Sequence, residues 1–359
     1  MQKTDSFIST FAKLGDFISQ FHDGVQSYSP EMTELNEKHF IEFAQIVETE
    51  HIYNPWFTKE YILEALRGVS QMIKGEVLLK WLDAYDYSGF PPAQPKTIGL
   101  ILAGNIPLVG FHDLLCVLAT GHNVLAKPSS KDDRLIKKVA ELISAIDPSM
   151  GSKIEFVEER LMGMDAVIAT GSDNSARYFE YYFRDIPHII RKNRNGVAVL
   201  TGQESEEELA GIGKDIFTYF GMGCRNITKL YIPVAYDLKV LLGVLDSYHP
   251  LYQHNKYANN VDYYRTMYLM NQVSFLDNEV LLVKEDSAIA SPVGVVFYER
   301  YSEIRWVQEQ LTGRKEEIQC VVSLHSDIKA ALLPGSTQEP MPWDYADGVD
   351  TVSFLMEMI

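Results

Sequence analysis

Cysteine is scarce in this chain, with 3 among 359 residues. Cys116, Cys224 and Cys320 lie far apart and form no CxxC pair. That argues against a disulfide framework or a structural zinc site, so no metal is expected, and it favours a reducing compartment. Positive charge is also short. Lys+Arg 32 against Asp+Glu 49 leaves a formal charge of −17, which excludes a general polyanion-binding surface. No nucleic-acid partner is expected, and an anionic ligand must find a local basic pocket. Long apolar runs are missing too. The most apolar stretch, "TIGLILAGNIPLVGFHDLLCVLATG", is broken by Gly, Asn, Pro, His and Asp, and reads as strand, turn and helix instead of a membrane span. The amphipathic "MQKTDSFISTFAKLGDFISQF" lacks the apolar core and cleavage site of a signal peptide. A cytoplasmic protein is the expectation. There is no internal repeat and no low-complexity segment.

What is present is periodic. Apolar residues recur at helical spacing in "FISTFAKLGDFISQF" and in "KEYILEALRGVSQMIKGEVLLKWLDAY", which predicts helices up to about residue 90. The proline-rich "SGFPPAQPK" (88–96) then breaks the pattern. Apolar strands alternate with helices from there: "TIGLIL", "FHDLLCVLATG", "NVLAKPS", a helix from Asp132 to about Ile146, "KIEFVE", "DAVIATGS" and "HIIRK…GVAVLTG". This alternation predicts an α/β fold with a parallel sheet covered on both faces. An acidic-fronted helix, "ESEEELAGIGKDIFTYFG", leads to Cys224. Beyond it "TKLYIPVA", "EVLLVKED", "SPVGVVFYE" and "QCVVSL" read as strands of a second α/β unit. The expected domains are 1–205 with the N-terminal helices and a nucleotide-binding sheet, 206–330 carrying the cysteine, and a tail 331–359. The tail's "DGVDTVSFL" reads as a strand able to pair with a second subunit, or as a return to the first domain.

Four short segments carry candidate chemistry. "AGNIPLVG" places Asn105 on a turn straight after a buried strand, and ligands bind at the carboxyl ends of strands in open α/β sheets. Asn105 reads equally as a residue that tolerates an unusual turn. "NVLAKPSS" ends a strand with Lys127, Pro128 and Ser129, where a lysine reaches either a cofactor or solvent. "IATGSDNSARYF" has Gly171 and Ser172 opening a helix, a cradle for phosphate or a simple cap. In "FTYFGMGCRNITKLYIP", Cys224 is a small core filler or a nucleophile at the tip of a turn.

In order and spacing over residues 97–234 these segments resemble the aldehyde dehydrogenase superfamily, through "NIPL", "ATGHNVLAKPS", "TGS" and "GMGC". With "DYADGVDTVSFL" they look most like its acyl-CoA reductase family, which includes the long-chain acyl-thioester reductase of bacterial luminescence systems. The resemblance implies two Rossmann-like parallel-sheet domains with an N-terminal helical segment. It also implies an enzyme in which Cys224 takes up an acyl group, with Asn105 and the Cys224 backbone N–H as oxyanion donors. Lys127, Ser129, Gly171 and Ser172 would then hold the cofactor. The chain is short for that superfamily, and a homodimer is expected.

Two departures sharpen the expectation. The glutamate with which ordinary aldehyde dehydrogenases activate water is replaced in "IIRKNRNGVAVL" by Arg191 or a neighbour. This suits reduction or transfer of an acyl-CoA or acyl-carrier thioester better than release of acid. The acid that often follows Lys-Pro-Ser is Ser130, and Lys127 and Lys131 flank it, which favours NADPH over NADH. The segment "RKNR" (191–194) reads as a phosphate holder or as a solvated loop. His112 and His122 stay outside the catalytic set, and Cys116 and Cys320 read as core. A cysteine acyltransferase or thioesterase, and a catalytically silent scaffold, remain alternative functions.

Overall fold

The first helix shows why the N-terminal region folds as it does. In α1 (Gln2–Ser19) Phe7, Phe11, Leu14, Phe17 and Ile18 recur at three- and four-residue steps and are all buried, the stripe an amphipathic helix needs. The computed structural model describes residues 2–22, 32–86 and 92–358, so residues 88–91 of the proline-rich break lie outside the described residues. Three more helices follow, α2 (Thr33–Tyr53), α3 (Lys59–Met72) and α4 (Gly75–Leu82). Thr58 caps α3 by accepting the Tyr61 N–H.

The first sheet is built from β1 (Thr97–Ile101), β2 (Asn123–Lys127), β3 (Ile154–Phe156), β4 (Ala166–Thr170) and β5 (His188–Arg191). Its order is β3-β2-β1-β4-β5 and every pair is parallel. Between the strands run α5 (Phe111–Ala119), α6 (Arg134–Ile146), α7 (Pro148–Gly151) and α8 (Asp173–Phe183). The chain leaves β1 toward β2 and β3, then returns to lay β4 and β5 on the other side. The switch point of this sheet therefore lies between β1 and β4.

The second sheet is formed by β6 (Asn195–Val199), β7 (Ile227–Pro233), β8 (Leu276–Asp277), β9 (Leu282–Glu285), β10 (Val295–Tyr301) and β11 (Ile318–Ser323). Its order is β11-β6-β7-β10-β9-β8, parallel except for the β8 edge. Helices α9 (Glu206–Phe217), α10 (Leu238–Leu245), α11 (Asn255–Met270) and α12 (Ile304–Gly313) belong to it. α9 begins with a capping box in which Ser205 and Glu208 satisfy each other's backbone N–H.

The chain divides into two compact units, residues 1–192 with 340–359, and residues 193–339. This differs from the expected boundary at 205. β6 was expected in the first sheet, yet it pairs with β7 and β11, so its hydrogen bonds commit it to the second. The tail also differs from its expected strand. Residues 351–356 form helix α13 (Thr351–Met356), because Asp350 caps it through the Ser353 N–H and Thr351, Val352 and Leu355 are buried at helical spacing. Within the first unit this tail is held by His122, whose Nε2 donates to the Leu355 carbonyl at 3.0 Å while Nδ1 accepts the Lys96 N–H. No helix among the described residues is long and apolar enough to cross a membrane.

Candidate active site

In the first unit, Asn105, Lys127, Ser129, Gly171 and Ser172 all fall at the carboxyl edge of the sheet. They follow β1, β2 and β4, three neighbours spanning the switch point. Asn105 is exposed on its turn and Lys127 is half-buried as the last residue of β2. Gly171 is a glycine for lack of room. A Cβ there would lie 2.9 Å from both the Phe179 ring and the Ser175 Cβ. Ser172 caps α8 by accepting the Ser175 N–H.

Two loops at this edge are pressed together. A Cβ on Gly104 would sit 2.6 Å from the Cβ and Oγ of Ser129. Leu108, in the Asn105 turn, has φ of 57° and donates its N–H to Asp132 Oδ2 at 2.7 Å. In the sequence Asp132 marks only a helix start. Burial pushes its carboxyl up to about 7, and it is a residue of this site that sequence reasoning missed. In "SSKDD" nothing local distinguishes the buried Asp132 from its half-buried neighbour Asp133.

Cys224 belongs to the second unit and lies on the turn that enters β7, at the amino edge of that sheet. Its turn is shaped by Asn226, which is fully buried. Asn226 Oδ1 accepts the Gly223 N–H at 2.7 Å. Its Nδ2 donates to the carbonyls of Asp215 and Thr218, both at 2.9 Å, and of Ile216 at 3.4 Å. Those carbonyls end α9, where the helix dipole disfavours a thiolate. The Asn226 amide offsets them, and Tyr219 and Phe220, with φ of 55° and 57°, turn the chain off the helix axis before Cys224. Asn226 reads in the sequence only as part of a glycosylation sequon, and nothing local marks its role.

The loop behind this turn is latched by Asp215, which accepts the N–H groups of Gly335 at 2.7 Å and Thr337 at 3.0 Å. Arg225 Nε donates to the Thr337 carbonyl at 2.6 Å. Cys320 Sγ approaches the Arg225 carbonyl at 3.6 Å, whereas Cys116 is fully buried in the first unit.

Three residues of the basic cluster 191–194 have partners within the protein. Arg191 is buried and makes two bonds to Asp113, at 2.6 and 2.7 Å, and a third to Thr351 Oγ1 at 2.9 Å. Lys192 pairs with Glu180 at 2.8 Å, and Arg194 donates to the Lys315 carbonyl at 3.0 Å. Arg191 is thus held in the interior, whereas the Lys192–Glu180 pair lies at the surface. His112 is half-buried with its ring on the Pro342 carbonyl at 2.8 Å, and desolvation lowers its pKa. His39, Glu42 and Glu141 come within metal-binding distance of one another. However, the Lys138 ammonium bonds both carboxylates and already supplies the positive charge.

No protein-family model and no curated protein matches the sequence. Solved structures do. The indole-3-acetaldehyde dehydrogenase AldA of P. syringae, a cysteine-to-alanine mutant in complex with NAD+ and IAA, aligns with a TM-score of 0.62 at 14% identity, covering 92% of this chain and 77% of that one. Aldehyde dehydrogenase 21 of Physcomitrella patens, in complex with the reaction product succinate, gives 0.64 at 11% identity, covering 99% and 87%. The Mycobacterium tuberculosis aldehyde dehydrogenase complexed with NAD+ gives 0.59 at 12% identity, covering 89% and 74%. The protein has the aldehyde dehydrogenase fold.

Proposed function

We propose that this protein reduces an acyl-CoA or acyl-carrier thioester, most naturally a long-chain one, to the aldehyde with NADPH through an acyl-enzyme on Cys224. The observation that carries the reading is the Cys224 turn. An otherwise costly buried asparagine spends its whole amide on shaping it, which a mere core filler does not require.

Cys224 as thiolate attacks the thioester carbonyl, its sulfur forms the new thioester, and the first thiol leaves. A free thiol is only a few per cent ionised at neutral pH, so the turn must favour the anion. The Asn226 amide over the α9 carbonyls and the neighbouring Arg225 both act in that direction. Bound NADPH supplies the hydride. The resemblance would give the Asn105 side chain and the Cys224 N–H the stabilisation of the thiohemiacetal oxygen, each such donor being worth about 10²–10³-fold in rate. Collapse releases aldehyde and regenerates the Cys224 thiolate. The segment 191–194, Arg-Lys-Asn-Arg, carries no carboxylate of its own to act as a base on water. The acyl-enzyme therefore survives until it is reduced.

The cofactor edge suits a dinucleotide. Lys127 and the Gly171–Ser172 start of α8 flank β1 at the switch point, and Ser130 and Lys131 lie exposed beside them, favouring a 2′-phosphate. NAD+ is the cofactor in the complexes of P. syringae AldA and the M. tuberculosis enzyme. A series of acyl-CoAs of increasing length, mixed with NADPH or NADH, tests the proposal by loss of nicotinamide absorbance. Oxidation that requires acyl-CoA and vanishes in Cys224→Ala supports it. CoA release without any oxidation would replace it with acyl transfer or thioester hydrolysis. Silence with every thioester, together with a Cys224 no more reactive to alkylation than free cysteine, would leave a scaffold.

A further inference from the structure

Asp132 has a place in the fold that helix initiation does not explain. It is 3% exposed, its Oδ2 accepts the Leu108 N–H at 2.7 Å, and its Oδ1 has no hydrogen-bond partner. A buried carboxylate oxygen without a partner is costly and calls for a reason. The reason lies in what the residue joins. Its own N–H donates to the Ser129 carbonyl at 3.0 Å, and Asn54 of the N-terminal region donates to the Lys131 carbonyl at 3.2 Å. On the other side Leu108 is held with φ of 57°, a conformation that a leucine keeps only when its surroundings impose it.

We propose that Asp132 is a positioning residue that fastens the Asn105 turn to the Lys127–Ser129 loop, and that its proton makes the closure of the two loops depend on pH. The link to catalysis rests on the reading of Asn105, Lys127 and Ser129 as site residues; the fastening itself does not. Among the described residues no cation is paired with the carboxyl. Arg134 of α6 is taken by Glu50 of α2 at 2.9 Å, and Lys137 by Asp133 at 3.1 Å. Burial is the largest influence on Asp132 and raises its pKa. The Leu108 N–H opposes this, and the charges of Glu50 and Asp133 reinforce it.

The sign follows from linkage. The closed arrangement, titrating at about 7, binds the proton more tightly than a hydrated aspartate at 3.8. Protonation therefore favours closure, and closure weakens as the pH rises toward 7, levelling off above it. Between pH 6 and pH 8 the opening constant of the loops rises about tenfold.

Hydrogen exchange of the full chain, with no ligand added, reads this directly. After scaling for the intrinsic pH dependence, the amides of residues 104–106 and 108–110 should open about tenfold more often at pH 8 than at pH 6 in the native protein. In Asp132→Asn, which keeps an acceptor for Leu108 but cannot ionise, the two values should agree within about twofold. Equal pH dependence in both proteins, or none in either, overturns the proposal. Should the variant fail to fold, the carbon-13 titration of Asp132 in the native protein decides, with a midpoint near 4 overturning it. NADPH affinity measured at the same two pH values separates the two claims. If exchange follows pH in an Asp132-dependent way but affinity does not, the loop fastening stands and the assignment of these loops to the cofactor falls.

Discussion

Gly196→Ala puts the cysteine turn under a load that can be read from the structure. Gly196 sits in β6 opposite the entry to β7, where the register shifts between Gly196 and Val197. A Cβ there would lie 2.6 Å from the Arg225 carbonyl oxygen and 2.8 Å from that of Asn226, against about 3.4 Å for ordinary contact. Both neighbours are backbone, so no rotamer change relieves the overlap, and residues 225–226 must move by up to about 0.8 Å. They adjoin Cys224 and include the asparagine that shapes its turn. A misplacement of about 1 Å at a reacting group costs about 10²-fold in rate, so kcat should fall about 30- to 100-fold. Overpacking should also cost about 1–3 kcal/mol of stability. Under the proposed function the assay is acyl-CoA-dependent NADPH oxidation, run beside the alkylation rate of Cys224 and a thermal melt. Gly243→Ala is the control. That glycine lies inside α10 with nothing within 4 Å of the added methyl, and the change should stabilise by about 0.5–1 kcal/mol. Native kcat and native alkylation rate in Gly196→Ala would refute the idea that sheet spacing sets the position of the thiol.

Other consequences are independent of that one. Asn226→Asp should be worse than Asn226→Ala in both kcat and Cys224 alkylation, because a carboxylate would face the α9 carbonyls that the amide now bonds; the reverse order would refute the role given to the amide. Arg191→Met leaves the buried Asp113 uncompensated and should cost about 3–5 kcal/mol, most of it recovered in Arg191→Met/Asp113→Leu. Urea unfolding followed by tryptophan fluorescence reads this in the first unit, which holds Trp56, Trp81 and Trp343. Burial lowers the pKa of His122, whose Nδ1 accepts a backbone N–H, so it is neutral when folded and takes a proton when unfolded. Its contribution to stability is lost as pH falls through the ordinary histidine value of 6.5. The drop in stability between pH 7.5 and 5.5 should therefore be smaller in His122→Gln than in the native protein.

The local elements and the order of the chemical segments are legible in the sequence. Apolar stripes such as Phe7 to Ile18 and the buried runs of β1, β2 and β4 are encoded by neighbours a few residues apart. So is the punctuation that puts Asn105, Lys127 and Gly171 just after strands. Which strands share a sheet is set by contacts between distant segments. β6 looks like a continuation of the first sheet until its hydrogen bonds to β7 and β11 are seen. "DGVDTVSFL" looks like a strand until the Asp350 cap and the burial of Val352 and Leu355 make it a helix. The same holds for Arg191, whose partners Asp113 and Thr351 are 78 and 160 residues away, and for Asp132 and Asn226. Each is a polar residue whose meaning depends on burial, and burial is a sum over contacts that no local window of sequence contains.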